Sequence, residues 1–273
     1  MGEALTENGA RAGGGRMNAD ESYILINGHR CRVWRKGNGR PIAYFPGIGG
    51  LPKWIPFLDH LATKRRVIAP SLPGYPGAAG FDTLDTHLDW LLAVHDLLVG
   101  AGAKGADLIA SSVSGALAAD VAGLWPELVD RLILIAPFGL FDPADPPADI
   151  WAQRPGHLNS LLTVEAQVYK TFTAQPDDAD PIEWKVEQMR ALEASARFLF
   201  PTGNTGLAAR LGRISAKTLL MWGELDRVMP FSYAARFKQG LPSAAVIRIP
   251  DAGHLAELDA PAAVADAVLA FLG

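Results

Sequence analysis

Residues 107–119 read Asp107-Leu108-Ile109-Ala110-Ser111-Ser112-Val113-Ser114-Gly115-Ala116-Leu117-Ala118-Ala119. A short apolar run of strand type passes without a linker into small residues and then into an alanine-rich helical pattern. A nucleophile on such a sharp strand-to-helix turn needs small flanking residues, because the backbone is strained and other chain segments pass close by. Ser112 meets that condition, with Ala110 two residues before it and Ser114 two residues after it. Ser111 would be flanked by the bulky Ile109 and Val113, and Ser114 lies too far into the helix. Ser112 is the candidate nucleophile, set against the plainer reading of a serine-rich helix N-cap.

The same rhythm of strand and helix extends in both directions. Strand-type runs occur at 41–45, 66–69, 132–135, 218–222 and 245–249, with helical patterns near 52–63, over 84–99 and after the last two strands. Leu84, Leu88, Leu91, Leu92, His95 and Leu98 are expected on one face of the helix at 84–99. Strands alternating with helices imply right-handed βαβ units, hence an α/β fold with a mostly parallel central sheet flanked by helices. Two further β-type runs around Asn27-Gly28 predict a hairpin ahead of it.

Two segments break the rhythm. Residues 1–20 are polar and Gly-rich without period, which predicts a flexible tail. Residues 142–214 contain no convincing strand but several helical patterns, and are too long for a connecting loop. They are expected to form a helical cap inserted into a core made of 21–141 and 215–273.

Composition bounds the function. The 273 residues are 49% hydrophobic and 20% charged, so a large core can be buried. The net charge is −4 with no basic block, which argues against nucleic-acid or anionic-membrane partners. No apolar stretch reaches the ~18 residues of a membrane span, and the N-terminus lacks a signal peptide's pattern. M-G-E-A-L-T at the start matches a short myristoylation pattern, but no polybasic patch lies beside it. Cys31 is the only cysteine, excluding an intrachain disulfide and suiting a reducing, cytoplasmic setting. The partner expected is a small-molecule substrate, with self-association left open.

A serine nucleophile needs a base and an acid. Of histidines 29, 60, 87, 95, 157 and 254, only His254 follows a strand through a tight polar turn, Pro250-Asp251-Ala252-Gly253. That is the strand edge at which active sites of open parallel sheets gather. Asp226, in Trp222-Gly223-Glu224-Leu225-Asp226-Arg227, follows the preceding strand in the same way, and Asp142 is the rival acid. Phe45-Pro46-Gly47-Ile48-Gly49-Gly50 can expose backbone N–H groups, and the Ile48 amide with that of Val113 is the candidate oxyanion hole. No phosphate-binding or dinucleotide-binding glycine motif is present, and neither cofactor nor metal is expected.

Four segments in register, F-P-G-I-G-G, L-I-A-S-S-V-S-G, W-G-E-L-D-R-V-M-P and I-P-D-A-G-H, resemble the α/β-hydrolase superfamily over about residues 23–273. The resemblance implies Ser112 as nucleophile, Asp226 as acid, His254 as base, Ile48 and Val113 as oxyanion donors, and the insertion as a cap. Departures from the family pattern are instructive. The usual G-x-S-x-G is altered to A-x-S-x-S, Pro46-Gly47 stands where His-Gly is common, and Ser71 where Asp is common. Carbon–carbon bond hydrolases of ring-cleavage products usually carry Asn before the nucleophile and Trp after the histidine. Here those positions are Ser111 and Leu255.

Lys185 lies roughly where the cap of those enzymes offers an arginine to a substrate carboxylate. Trp151, Trp184 and Phe138 are candidate substrate-binding residues, with Phe172, Phe198 and Phe200 as further cap aromatics that line either a pocket or the cap's own core. The leading expectation is a serine esterase acting on largely apolar substrates through an acyl-enzyme. Alternatives are a carbon–carbon bond hydrolase, a non-catalytic binding protein of the same fold, and a perhydrolase.

Overall fold

The computed structural model describes residues 19–154, 156–177, 179–200 and 205–273. The bulk of the expected tail, residues 1–18 with the M-G-E-A-L-T motif, lies outside the described residues.

Strands β1 (Asp20–Ile26) and β2 (His29–Lys36) form the expected hairpin, with Asn27 and Gly28 both at positive φ. They continue into β3 (Pro41–Phe45), β4 (Arg66–Pro70), β5 (Ala106–Ser111), β6 (Val129–Ile135), β7 (Lys217–Gly223) and β8 (Ala244–Ile249). The eight strands make one sheet in the order β1-β2-β4-β3-β5-β6-β7-β8. β1 and β2 pair antiparallel, β2 pairs antiparallel with β4, and every pairing from β4 to β8 is parallel. The central β5 is buried along its whole length, as its unbroken small and apolar run requires of a strand covered on both faces. Parallel order places the C-terminal ends of β3, β5, β7 and β8 along one edge, and each candidate site residue follows one of them.

Helices α1 (Pro56–Ala62), α2 (His87–Gly100), α3 (Val113–Leu124), α7 (Ser232–Gly240), α8 (Ala256–Asp259) and α9 (Pro261–Leu272) belong to this core; α4 (His157–Leu162), α5 (Ala166–Phe172) and α6 (Pro181–Leu199) lie between β6 and β7. α1 is shorter than its sequence pattern suggests, starting at Pro56, whose missing N–H and fixed φ suit a first turn. α2 corrects an expectation about its face. It starts at His87, behind a Thr86/Asp89 capping box, and buries Trp90, Leu91, Val94, Leu97 and Leu98. Leu88 and Leu92 are 56% and 43% exposed, and the buried Leu84 precedes the helix. Trp90 sets the register by packing against Phe198 of α6, the rings tilted with centroids 4.9 Å apart.

Between β6 and β7 the described residues contain α4, α5, α6 and two short 3-10 turns, and no strand. This segment is tied to loops at the C-terminal edge of the sheet: Tyr169 donates to the Ile48 carbonyl, Glu187 accepts from the Gly77 N–H, and the Leu255 N–H donates to the Leu162 carbonyl. Among the described residues no helix is long and apolar enough to cross a membrane.

Candidate active site

Ser112 stands between the last residue of β5 and the first of α3 with φ 53° and ψ −123°, a conformation that costs a non-glycine residue strain. Its backbone is pinned from β6. The Ser112 N–H donates to the Ile135 carbonyl at 2.8 Å, and the Phe138 N–H donates to the Ser112 carbonyl at 3.1 Å. Small neighbours are a steric requirement here. A Cβ on Gly115 would lie 2.6 Å from Pro137 Cβ, and one on Gly47 would lie 3.0 Å from Ser112 Cβ.

His254 and Asp226 reach Ser112 from two loops that are zipped together. The Glu224 N–H donates to Ile249 and the Leu225 N–H to Ala252, both at 2.9 Å. The loops approach so closely that a Cβ on Gly223 would lie 2.1 Å from the Gly253 carbonyl oxygen. Any side chain at 223 would push the acid loop away from the base. Within this frame His254 Nε2 lies 2.7 Å from Ser112 Oγ, and His254 Nδ1 lies 3.0 and 3.2 Å from the two Asp226 carboxylate oxygens. Asp226 Oδ1 also accepts from the Val228 and Met229 N–H groups at 2.8 and 2.9 Å, which fixes the carboxylate's orientation. An ionised Asp226 holds the proton on Nδ1 and leaves Nε2 free to accept from the serine hydroxyl. The rival acid lies elsewhere: Asp142 pairs with Arg236 of α7.

Ile48 and Val113 are both buried beside the serine. Val113 is the first residue of α3, so its N–H has no partner within the helix. Neither amide is taken by an acceptor among the described residues.

Ser112 and His254 are both 0% exposed. Phe138 stands edge-on to the His254 ring at 5.9 Å and contacts Trp151, which in turn meets Phe200. Trp151 therefore belongs to the aromatic cover of the histidine. It also lines a separate cleft of about 380 Å³ between residues 150–159 and α6, to which Ser112, Asp226 and His254 do not contribute. Both indoles donate within the inserted segment, Trp151 to the Ser195 hydroxyl and Trp184 to the Thr173 carbonyl, each at 3.3 Å, but only Trp151 also meets Phe138. Phe198 is likewise taken up by Trp90, and Phe172 by Tyr169. Lys185 is exposed on α6, nine residues from the buried Ala194 and so on the opposite face of the helix. The structure does not bring Lys185 to Ser112.

Several contacts at the site escaped sequence reading. The Ser114 hydroxyl donates to the Pro46 carbonyl at 2.5 Å, holding the loop that carries Ile48. Asp259 accepts from the Gly253 N–H at 2.8 Å and the Val164 N–H at 3.0 Å, joining the histidine loop to the inserted segment. Burial raises the Asp259 pKa above the ordinary aspartate value, against these two amides and Arg227. Its one visible signal in the sequence is an acid five residues beyond His254.

The profile of the alpha/beta hydrolase family matches residues 24–267. Over 259 residues the chain is 30% identical to the dihydrolipoyllysine-residue acetyltransferase component of the acetoin cleaving system of Pseudomonas putida, covering 90% of this chain and 68% of that protein. It is 24% identical over 266 residues to the 2-hydroxymuconate semialdehyde hydrolase of Pseudomonas sp. (strain CF600), covering 91% and 92% of the two chains. The fold is shared with the 2-hydroxy-6-oxo-6-phenylhexa-2,4-dienoate hydrolase of Rhodococcus sp. strain RHA1, at a TM-score of 0.75, 19% identity, and 93% and 99% coverage. With its family profile spanning all eight strands of the sheet but the first few residues of β1, this chain belongs to the alpha/beta hydrolase family.

Proposed function

We propose that the protein is a serine hydrolase that cleaves carboxylic esters of small, largely apolar substrates through an acyl-enzyme on Ser112. The observation that carries this reading is the 2.7 Å contact between His254 Nε2 and Ser112 Oγ, with Asp226 on the opposite ring nitrogen. In the first half-reaction His254 takes the Ser112 proton as Oγ attacks the ester carbonyl, and the oxyanion forms between the Ile48 and Val113 N–H groups. The tetrahedral adduct collapses as His254 returns that proton to the leaving alkoxide. Water, activated by the same imidazole, then attacks the acyl-enzyme, releasing the acid and restoring Ser112. Asp226 stays ionised throughout and balances the imidazolium.

The apolar preference rests on the cover over the site, with Phe138 edge-on to His254 and Trp151 against Phe138. Ser112 and His254 are fully buried beneath it.

A second reading, carbon–carbon bond hydrolysis of ring-cleavage products, is favoured by full-length relatives such as the 2-hydroxymuconate semialdehyde hydrolase. It needs a cation for the substrate carboxylate, and the exposure of Lys185 removes the residue expected to supply it.

Labelling with a fluorophosphonate probe, followed by a panel of esters of graded length and a coloured ring-fission substrate, separates the readings. The proposal expects labelling lost in Ser112→Ala and turnover of esters well above turnover of the ring-fission product. The reverse ranking supports carbon–carbon cleavage. Failure to label, with a ligand raising thermal stability, supports a binding protein.

A further inference from the structure

Beneath the elbow lies a carboxyl group that this mechanism does not use. Glu257 lies in α8, three residues past His254, and is 2% exposed. Its Oε1 accepts from the Tyr44 hydroxyl at 3.1 Å, whereas Oε2 is buried with no hydrogen-bond partner among the described residues. Ser111, the residue before the nucleophile, is fully buried, and its Oγ is unpartnered by the same measure. The Ser111 hydroxyl is nonetheless near enough to act on the carboxyl group. Two orphaned oxygens on adjoining buried groups are satisfied together by a proton between them, which either the Ser111 hydroxyl or a protonated Glu257 can supply.

Among the described residues no lysine or arginine bears on this carboxyl. The groups acting on it are Ser111 from β5, Tyr44 from β3, its own N–H and His254; α1, α5 and α9, which pack on α8, add no charged group. Desolvation is the largest effect, and it raises the Glu257 pKa against all of those donors. An ionised carboxylate buried without a cation is costly, and its charge would favour the imidazolium form of His254.

We propose that Glu257 is carried as a neutral acid and is a positioning residue for Ser112. Its Oε2–H donates to the Ser111 hydroxyl while Oε1 accepts from Tyr44, joining β3, β5 and α8 under the elbow. No second negative charge is then set beside the Asp226–His254 pair. The proposal rests on Ser112 as nucleophile and His254 as base.

Two measurements test it. In the infrared difference spectrum between the wild type and Glu257→Gln at neutral pH, a protonated carboxyl band belonging to the wild type is expected. In kinetics, Glu257→Leu should lower kcat by about tenfold with KM little changed, a loss matching one hydrogen bond. Glu257→Gln, uncharged and able to make both contacts, should recover most of that loss with the acidic limb of its pH–rate profile in place. A carboxylate band instead of a carboxyl band, or an acidic limb displaced to lower pH in Glu257→Gln, overturns the neutral acid. Full activity in Glu257→Leu overturns the positioning role. If Glu257→Leu does not fold, the infrared comparison still decides. Retained turnover in Ser112→Ala would instead defeat the assignment of the nucleophile, leaving the infrared result to stand by itself.

Discussion

The Ser114 hydroxyl is bound to the Pro46 carbonyl at 2.5 Å, so the residue two after the nucleophile holds the loop that presents the Ile48 N–H. A glycine at 114, usual in this family, would have no side chain to make that contact. The two serines should therefore separate sharply in kinetics. Ser112→Ala is expected to lower ester turnover by at least ~10³-fold with the fold intact. Ser114→Ala removes one hydrogen bond worth ~0.5–1.5 kcal/mol and should cost no more than about tenfold. The reverse ranking in steady-state assays would place the nucleophile at 114.

Asp226→Asn should reduce kcat by orders of magnitude, because an amide facing Nδ1 favours the wrong tautomer. The wild-type rate should fall on the acid side as imidazole takes up the proton it must accept from Ser112. Asp142→Asn, which loses only a pair with Arg236, should leave the rate within a factor of about three, since a partly exposed pair is worth ~0–1 kcal/mol. A silent Asp226→Asn with a crippling Asp142→Asn in the same assay would reassign the acid.

The sheet and the triad were legible because each left a local mark. Apolar runs of four or five residues marked the strands, and small residues at 110, 114 and 115 marked the strand-to-helix turn at Ser112. The turns carrying Asp226 and His254 each followed a strand-type run, but the close approach of Gly223 to Gly253 left no mark in the sequence. The α2 face was misread because the helix is apolar nearly all round, so periodicity alone could not choose between Leu88/Leu92 and Trp90/Val94. A partner distant in sequence, Phe198, made that choice. The Tyr44–Glu257 contact spans 213 residues and the Lys185 side chain turns on helix phase, and neither is encoded in spacing near the motif.

Asp120 supplies a stability prediction with a defined pH dependence. It is fully buried on α3, is contacted by His87 Nε2 at 2.8 Å, and accepts from Arg210 at 2.5 and 2.9 Å. Burial alone would raise its pKa, but His87 and Arg210 outweigh burial and hold the carboxyl below the ordinary aspartate value. A depressed folded-state pKa contributes stability above the unfolded value of ~3.9 and loses it as the pH falls through the folded value. Asp120→Asn should cost about 3 kcal/mol at pH 7, the low end for one member of a buried pair, because its partners are partly solvated. Urea unfolding at several pH values should show the gap between wild type and variant closing below pH ~4. A gap that widens there would contradict the assigned sign.

The cover over the site gives the last prediction, through a contrast between two tryptophans. Trp151 meets Phe138, which stands edge-on to His254, so a bulky apolar acyl or alcohol group is expected to contact this cover. Trp151 also donates to Ser195 of α6, whereas Trp184 donates to the Thr173 carbonyl, which also accepts from Gln188, and so braces α6 against the end of α5 away from His254. Trp151→Ala should chiefly raise KM for bulky esters, with about 1–3 kcal/mol of lost apolar contact giving ~5- to 150-fold. Acetate esters bury little of that surface and should change far less. Trp184→Ala should lower the melting temperature and depress long and short esters together, since the loss falls on the brace and not on the substrate. KM and kcat measured for acetate and long-chain esters in both variants, alongside thermal melts, decide the matter. Equal loss on both substrates in a well-folded Trp151→Ala would make Trp151 part of the cover's own packing and remove it from substrate recognition.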